Sequence, residues 1–248
     1  ATVAITRENS RRVFSLVWGD YVTFGGIFMS RTSMDMTRGS LKKQILFFSI
    51  PLMLSNLLQV LFNMSDIAVI GQFAGAMSLG AVGSTTTLIS MYTGFLIGLS
   101  GGINVLTALY IGARNRKLVS ETVHSAFLVS LAVGLILLIL GVSTSRGVLV
   151  LLNTKEELID KAALYIRIYF LGIPALALYN FGNAVFSAAG DTGRPLRYLF
   201  LSGIVNVILN LIFVIVCKLD VVGVALASAL SQCLLFGVSD RDGIVPES

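Results

Sequence analysis

Asp66 is the residue in this chain best placed to do chemistry, because it stands in the apolar stretch 45–70, where a lone carboxylate is costly to keep. Within a bilayer such groups face a bundle interior or a water-filled cavity and mark ion or proton pathways. Asn56, Gln59, Asn63 and Asp66 follow one another at spacings of three, four and three, so all four fall on one helical face. One wet stripe on an otherwise lipid-like helix is expected, with Asp66 as its ionisable member. Its position shortly before Ile70-Gly71 also fits an interfacial residue at a helix end. Asn206 and Asn210, four apart in a later apolar stretch, read by themselves as polar contacts between helices.

The segments that must position these groups are set by composition. Of the 248 residues, 55% are hydrophobic and only 12% charged, with a mean hydropathy of +0.87. Soluble domains carry about a quarter charged residues, so the chain is expected to be an integral membrane protein. The net charge of +5 comes largely from basic residues in short connections between apolar runs, which orient a membrane protein, and no nucleic-acid partner is expected. Cys217 and Cys233 sit inside apolar segments without metal-ligand spacing and read as small packing residues.

A helix needs about 20 mostly apolar residues to cross the hydrocarbon core. Six segments qualify, approximately 45–70, 78–111, 122–142, 162–189, 199–217 and 221–238. The fold class is therefore an all-α bundle of six transmembrane helices, since the runs are too long and too evenly apolar for the strands of an outer-membrane barrel. The second and fourth segments exceed the bilayer's need, so tilt or a break is expected there, with Pro174 as a cause of bending in the fourth and Pro51 near the start of the first. Arg38, Lys42, Lys43, Arg114, Arg116, Lys117, Arg194 and Arg197 fall on one side, against Arg146, Lys155, Lys161 and Lys218 on the other. That bias places both termini in the cytoplasm and the chain in the cell's inner (plasma) membrane.

Several motifs in order carry a resemblance. They are Ile50-Pro51, then Asn63-Met64-Ser65-Asp66-Ile67-Ala68-Val69-Ile70-Gly71, the glycines from Gly98 to Gly102 before Ile111-Gly112-Ala113, Tyr165-Ile166-Arg167, and Ala189-Gly190-Asp191-Thr192. Over roughly residues 36–232 the chain resembles the N-terminal half of the multidrug and toxic compound extrusion (MATE) family. The resemblance implies one lobe of a twelve-helix, cation-coupled exporter with cytoplasmic ends and a substrate cavity between two lobes. It also implies a cation site: Asp66 matches the family's carboxylate on the first helix, Pro51 the proline that lets that helix bend, and Tyr165 a tyrosine near the same pocket. On the fifth helix the family pattern is Asn followed four residues later by Asp. This chain has Asn206 and Asn210, so the second carboxylate is missing. Gly223-Val224-Ala225-Leu226-Ala227-Ser228 matches a small-residue run that ends with a hydroxyl at the site.

The chemistry of such a constellation is simple. Desolvation and hydrogen-bond donation act on a carboxylate in opposite senses, so its proton can come and go near physiological pH. One carboxylate is neutralised by one proton or one monovalent cation, and a protein alternating between protonated and substrate-bound states can exchange the two. Neutral oxygens from Asn206, Asn210, Ser228 and Tyr165 suit a sodium shell. With Asn210 in place of a carboxylate, coupling through Asp66 is expected to use protons rather than sodium. No cofactor, and no metal other than a Na+ at Asp66, is expected.

Blander roles attach to other residues. The glycines from Gly94 to Gly102 lack the lysine and strand of a phosphate loop and point to close helix packing or flexibility. His124, next to a basic loop, reads as an interface anchor, and Arg167 as a residue near the outer interface that snorkels. An enzyme is not expected, because no nucleophile, base and orienting partner can be named together.

Residues 1–35 lie outside the resemblance and fit a disordered leader or upstream translation, residues 36–238 form the six-helix lobe, and 239–248 a polar tail. Membrane lipids, small amphipathic or cationic substrates, and a separate C-lobe or a homodimer mate are the expected partners. Two further readings remain at this stage: a truncated, inactive fragment, and a lipid-linked precursor flippase of the same superfamily. The flippase would want a basic cavity, whereas the wet face of the first segment carries only acidic Asp66.

Overall fold

The structure is a computed structural model and describes residues 41–241, all of whose regular elements are helical. They are α1 (Leu41–Phe73), α2 (Ala76–Gly112), α3 (Arg116–Leu151), α4 (Glu156–Phe170), α5 (Ile173–Ala188), α6 (Gly193–Leu211), which continues in a π-helical turn (Ile212–Val216), and α7 (Asp220–Arg241). Five are long and apolar enough to cross a membrane, and the pair α4 and α5 makes a sixth, broken span. The expected segments are all present with shifted ends. The third runs on past Val142 to Leu151, and the sixth carries its helix into Ser239-Asp240-Arg241. The leader 1–35 and the last residues of the polar tail lie outside the described residues.

The two long segments behave differently. α2 is one continuous helix, whereas the fourth span bends by 50° at Leu171-Gly172, just ahead of Pro174. Proline lacks an amide hydrogen and opposes helix in the residue before it, so the break falls upstream of Pro174 and the proline itself opens α5. Pro51, by contrast, lies within an unbroken α1.

Packing follows small residues. α3 buries Ala126, Ser130, Gly134, Gly141 and Ser145 in one stripe and leaves Leu128, Ile136 and Ile139 outward. In a bilayer, where lipid tails are as apolar as leucine, such stripes let backbones approach closely. A side chain at Gly134 would meet the backbone of Pro174 in α5, and one at Gly141 would overlap the Phe170 ring of α4. The glycines expected to mark close packing or flexibility face no packing partner. Gly94, Gly98, Gly101 and Gly102 have nothing within 4 Å of where a Cβ would stand, because the face of α2 that bears them is unpacked in this chain. Tight approaches occur instead at Gly134, Gly141, Gly172 and Gly203.

Turns close the connections with residues that tolerate φ above zero. Gly75 and Gly190 do so without a Cβ to clash, while Arg114, Asn153, Lys218 and Asp220 adopt φ near 53° as non-glycines. Asn115 caps α3, its side chain accepting from the Leu118 amide.

Candidate functional site

Asp66 sits on α1 at the seam with α6 and α7, half-buried, with its side chain turned inward. Asn210 Nδ2 on α6 donates to Asp66 Oδ1 at 2.5 Å, and Ser228 Oγ on α7 donates to Asp66 Oδ2 at 3.4 Å. The same Asn210 Nδ2 donates to Asn206 Oδ1 at 3.2 Å. Asn206 Nδ2 in turn donates to Ser228 Oγ at 3.5 Å and Ser231 Oγ at 3.3 Å. Asp66, Asn210, Asn206 and Ser228 thus close a ring of hydrogen bonds across three helices. Asn206, Asn210 and Ser228 are all buried.

The bonds around Asp66 all run one way. Each neighbouring hydrogen points at the carboxylate or at the next acceptor in the ring, which is the arrangement an anion requires. Asn210 Oδ1 is left buried without a hydrogen-bond partner. Buried amide oxygens are normally paired, so this one marks a place for a proton donor or a cation.

The other expected residues divide. Tyr165 on α4 is buried, stacks on Tyr169 with ring centroids 6.1 Å apart, and lies close enough to feel the Asp66 charge, but its hydroxyl does not hydrogen-bond that carboxylate. Asn56 and Asn63 are exposed and Gln59 is half-buried, none of them bonded to Asp66. They continue its helical face toward the start of α1 as a polar stripe. Pro51 is half-buried on the same helix, and its carbonyl accepts from Ser55 Oγ. Arg167 is exposed in the last turn of α4, beside the break. There its charge faces the negative end of the helix dipole. His124 is exposed and its Nδ1 is 2.9 Å from the Ser120 carbonyl.

Four residues join the site that sequence reasoning passed over. Ser231 braces Asn206, Ser202 Oγ donates to the Ser231 carbonyl at 2.6 Å, and Tyr169 lies against the Thr93 and Gln232 side chains while sensing the Asp66 charge. Gln232 is buried with its Oε1 unpartnered, packed where Gly172 leaves room at the break. The signal was there: Ser228, Ser231 and Gln232 recur at helical spacing on an apolar segment, as do Tyr165 and Tyr169.

Among the described residues no group of three or more His, Cys, Asp or Glu side chains could hold a metal ion. The donor set at Asp66, one carboxylate with neutral amide and hydroxyl oxygens, suits a proton or a monovalent hard cation.

Comparison with known proteins agrees with this architecture. The MatE family model matches residues 51–212. The chain is 32% identical over 202 residues to the probable multidrug resistance protein YpnP of Bacillus subtilis, covering 82% of this chain and 45% of that protein. It is 26% identical to the probable multidrug resistance protein NorM of Thermotoga maritima, covering 80% and 43%. Among solved structures, a crystal structure of MATE in the bent conformation superposes with a TM-score of 0.80 at 26% identity, covering 89% of this chain and 50% of that one. The chain therefore spans about half the length of the curated relatives it matches, and the two named here are described as probable multidrug resistance proteins.

Proposed function

This chain belongs to the MatE family, and from that premise we propose that its six spans act as one lobe of a cation-coupled exporter, with Asp66 holding the coupling ion. The observation that carries the proposal is the Asp66 ring with its unpartnered Asn210 Oδ1. Anionic Asp66 is matched by every donor around it. A proton arriving there must be given an acceptor, and Asn210 Oδ1 is the open one. A sodium ion would instead draw on Asp66, Asn210 Oδ1 and the neighbouring oxygens of Asn206, Ser228 and Tyr165.

One carboxylate carries one charge, so one proton or one sodium neutralises the site, and the single charge favours the proton. Loading or emptying the site changes which hydrogen bonds tie α1 to α6 and α7. The tilt of α1 is thereby coupled to the ion, as an exporter needs if its lobes are to alternate between two openings. The exported substrates are small amphipathic or cationic toxicants, by analogy with the multidrug relatives. A second lobe completes the cavity. The Lys and Arg bias puts the Arg116 end of the bundle in the cytoplasm and the Lys155 end outside, in the plasma membrane. No feature of the site favours a flippase, since its charge is acidic.

The test is efflux of a fluorescent lipophilic cation from cells producing the chain, alone and together with a complementary C-terminal lobe. Asp66→Asn is expected to abolish efflux driven by a proton or sodium gradient while leaving the protein in the membrane. Undiminished gradient-driven efflux by that variant would remove Asp66 from the coupling role. Absence of efflux in every combination would favour the inactive-fragment reading.

A further inference from the structure

A second polar cluster joins α4, which carries Tyr165, to α7, which carries Ser228. Lys161 Nζ on α4 donates to Asp220 Oδ2 on α7 at 2.7 Å and to Ser78 Oγ on α2 at 3.1 Å. Ser78 is fully buried, and Asp220 Oδ1 is buried without a hydrogen-bond partner. Asp220 opens α7 with φ 52°, in the left-handed region that aspartate tolerates better than most non-glycine residues. Lys161 precedes Tyr165 by one helical turn, and Asp220 precedes Ser228 by two. Between the pair and the Asp66 ring stand Ala162, Val221, Val224 and Ala225, which are 0 to 2% exposed and share one apolar cluster with Tyr165.

We propose that the Lys161–Asp220 ion pair, anchored on Ser78, is the outer seal of the Asp66 site. It clamps α4 and α7 over a plug of small apolar side chains and thereby positions Tyr165 and Ser228. The proposal rests on the reading of Asp66 as the ion site and on the outward orientation of this end. The geometry supports it in three ways. The pair and Ser78 tie α4, which carries Tyr165, and α7, which carries Ser228, to α2. Its members are about one third exposed, so it is reachable from water. Ala162, Val221, Val224 and Ala225 are apolar and buried, so they oppose the passage of an ion while the clamp holds. The other charges at this end, the Arg146–Asp160 pair, Lys155, Glu156, Glu157 and Lys218, are exposed, and that pair joins α3 to α4 without touching α7.

Val224 offers a reporter, because it is 0% exposed and lies one turn from Asp220 and one from Ser228. In a Cys217→Ser, Cys233→Ser background, Val224→Cys is labelled in whole cells with a membrane-impermeant thiol reagent, with Leu96→Cys on α2 as a remote buried reference. Lys161→Gln or Asp220→Asn is expected to speed labelling at position 224 by about fivefold, the scale of a partly exposed ion pair, without speeding it at 96. Exchange of the two charges, Lys161→Asp with Asp220→Lys, is expected to restore slow labelling. An unchanged rate at 224 in both single variants overturns the seal. So does an equal rise at 96, which would report general loosening. A failed Asp66→Asn efflux test leaves these rates unaffected and strikes only the ion-site reading.

Discussion

Asn210 is the hinge of the site's hydrogen bonding, since its one amide nitrogen serves both Asp66 and Asn206. Asn210→Ala removes both bonds and is expected to lower stability by about 2 kcal/mol, given that one of them goes to a charged group. Unfolding in detergent micelles measures it. Asn206→Ala breaks a bond in the same ring, so the double variant is expected to depart from additivity by more than about 0.5 kcal/mol. Strict additivity would show that the ring is not a unit. Asn210→Asp supplies the second carboxylate that the family pattern carries on this helix. A cage with two charges should bind sodium more tightly by about tenfold, read as sodium-dependent stabilisation against heat. If sodium stabilises both forms equally, the missing carboxylate does not set ion choice.

At the level of the helix, the glycine positions separate two surfaces of the lobe. Gly134 faces the backbone of Pro174, which cannot retreat as a flexible side chain would. Gly134→Ala is expected to cost about 1 to 3 kcal/mol by forcing α3 away from α5. Gly98→Ala meets open space and should be neutral or slightly stabilising in the isolated chain, because alanine is the better helix former by nearly 1 kcal/mol. Thermal unfolding of both variants in one detergent decides it. Equal losses would mean that the α2 face is packed as tightly as the α3 stripe. The break between α4 and α5 belongs to the same scale: it falls one residue past Phe170, with Tyr165 stacked on Tyr169 before it and Pro174 packed against Gly134 of α3 after it.

For the molecule as a whole, the charge bias makes a prediction about sidedness. Cys217, exposed at the Lys155 end between α6 and α7, should react in intact cells with an impermeant maleimide. A cysteine placed at Asn115, in the turn between α2 and α3, should react only after permeabilisation. The reverse pattern would invert the orientation and place the Lys161–Asp220 pair on the cytoplasmic side.

The primary sequence by itself determined the membrane class, six spans and a costly carboxylate on the first, because apolar run length and buried charge are properties of composition that no packing detail can hide. The same is true of Asn206, Asn210 and Ser228: a family pattern written in linear spacing put them beside Asp66, and the fold brings them there. Tertiary structure alone decided what spacing cannot carry. Helical periodicity put Asn56 and Asn63 on the Asp66 face, yet they stay exposed, because a face says nothing about which neighbour covers each turn of it. It gave glycines to α2 as packing sites, while the close approaches fall on α3 and α6, where a partner helix stands opposite. The Lys161–Asp220 contact joins residues 59 positions apart, and the bond from Asn210 to Asp66 spans 144. Distances of that kind are set when helices find their partners, since only packing across the bundle brings such side chains within reach of each other.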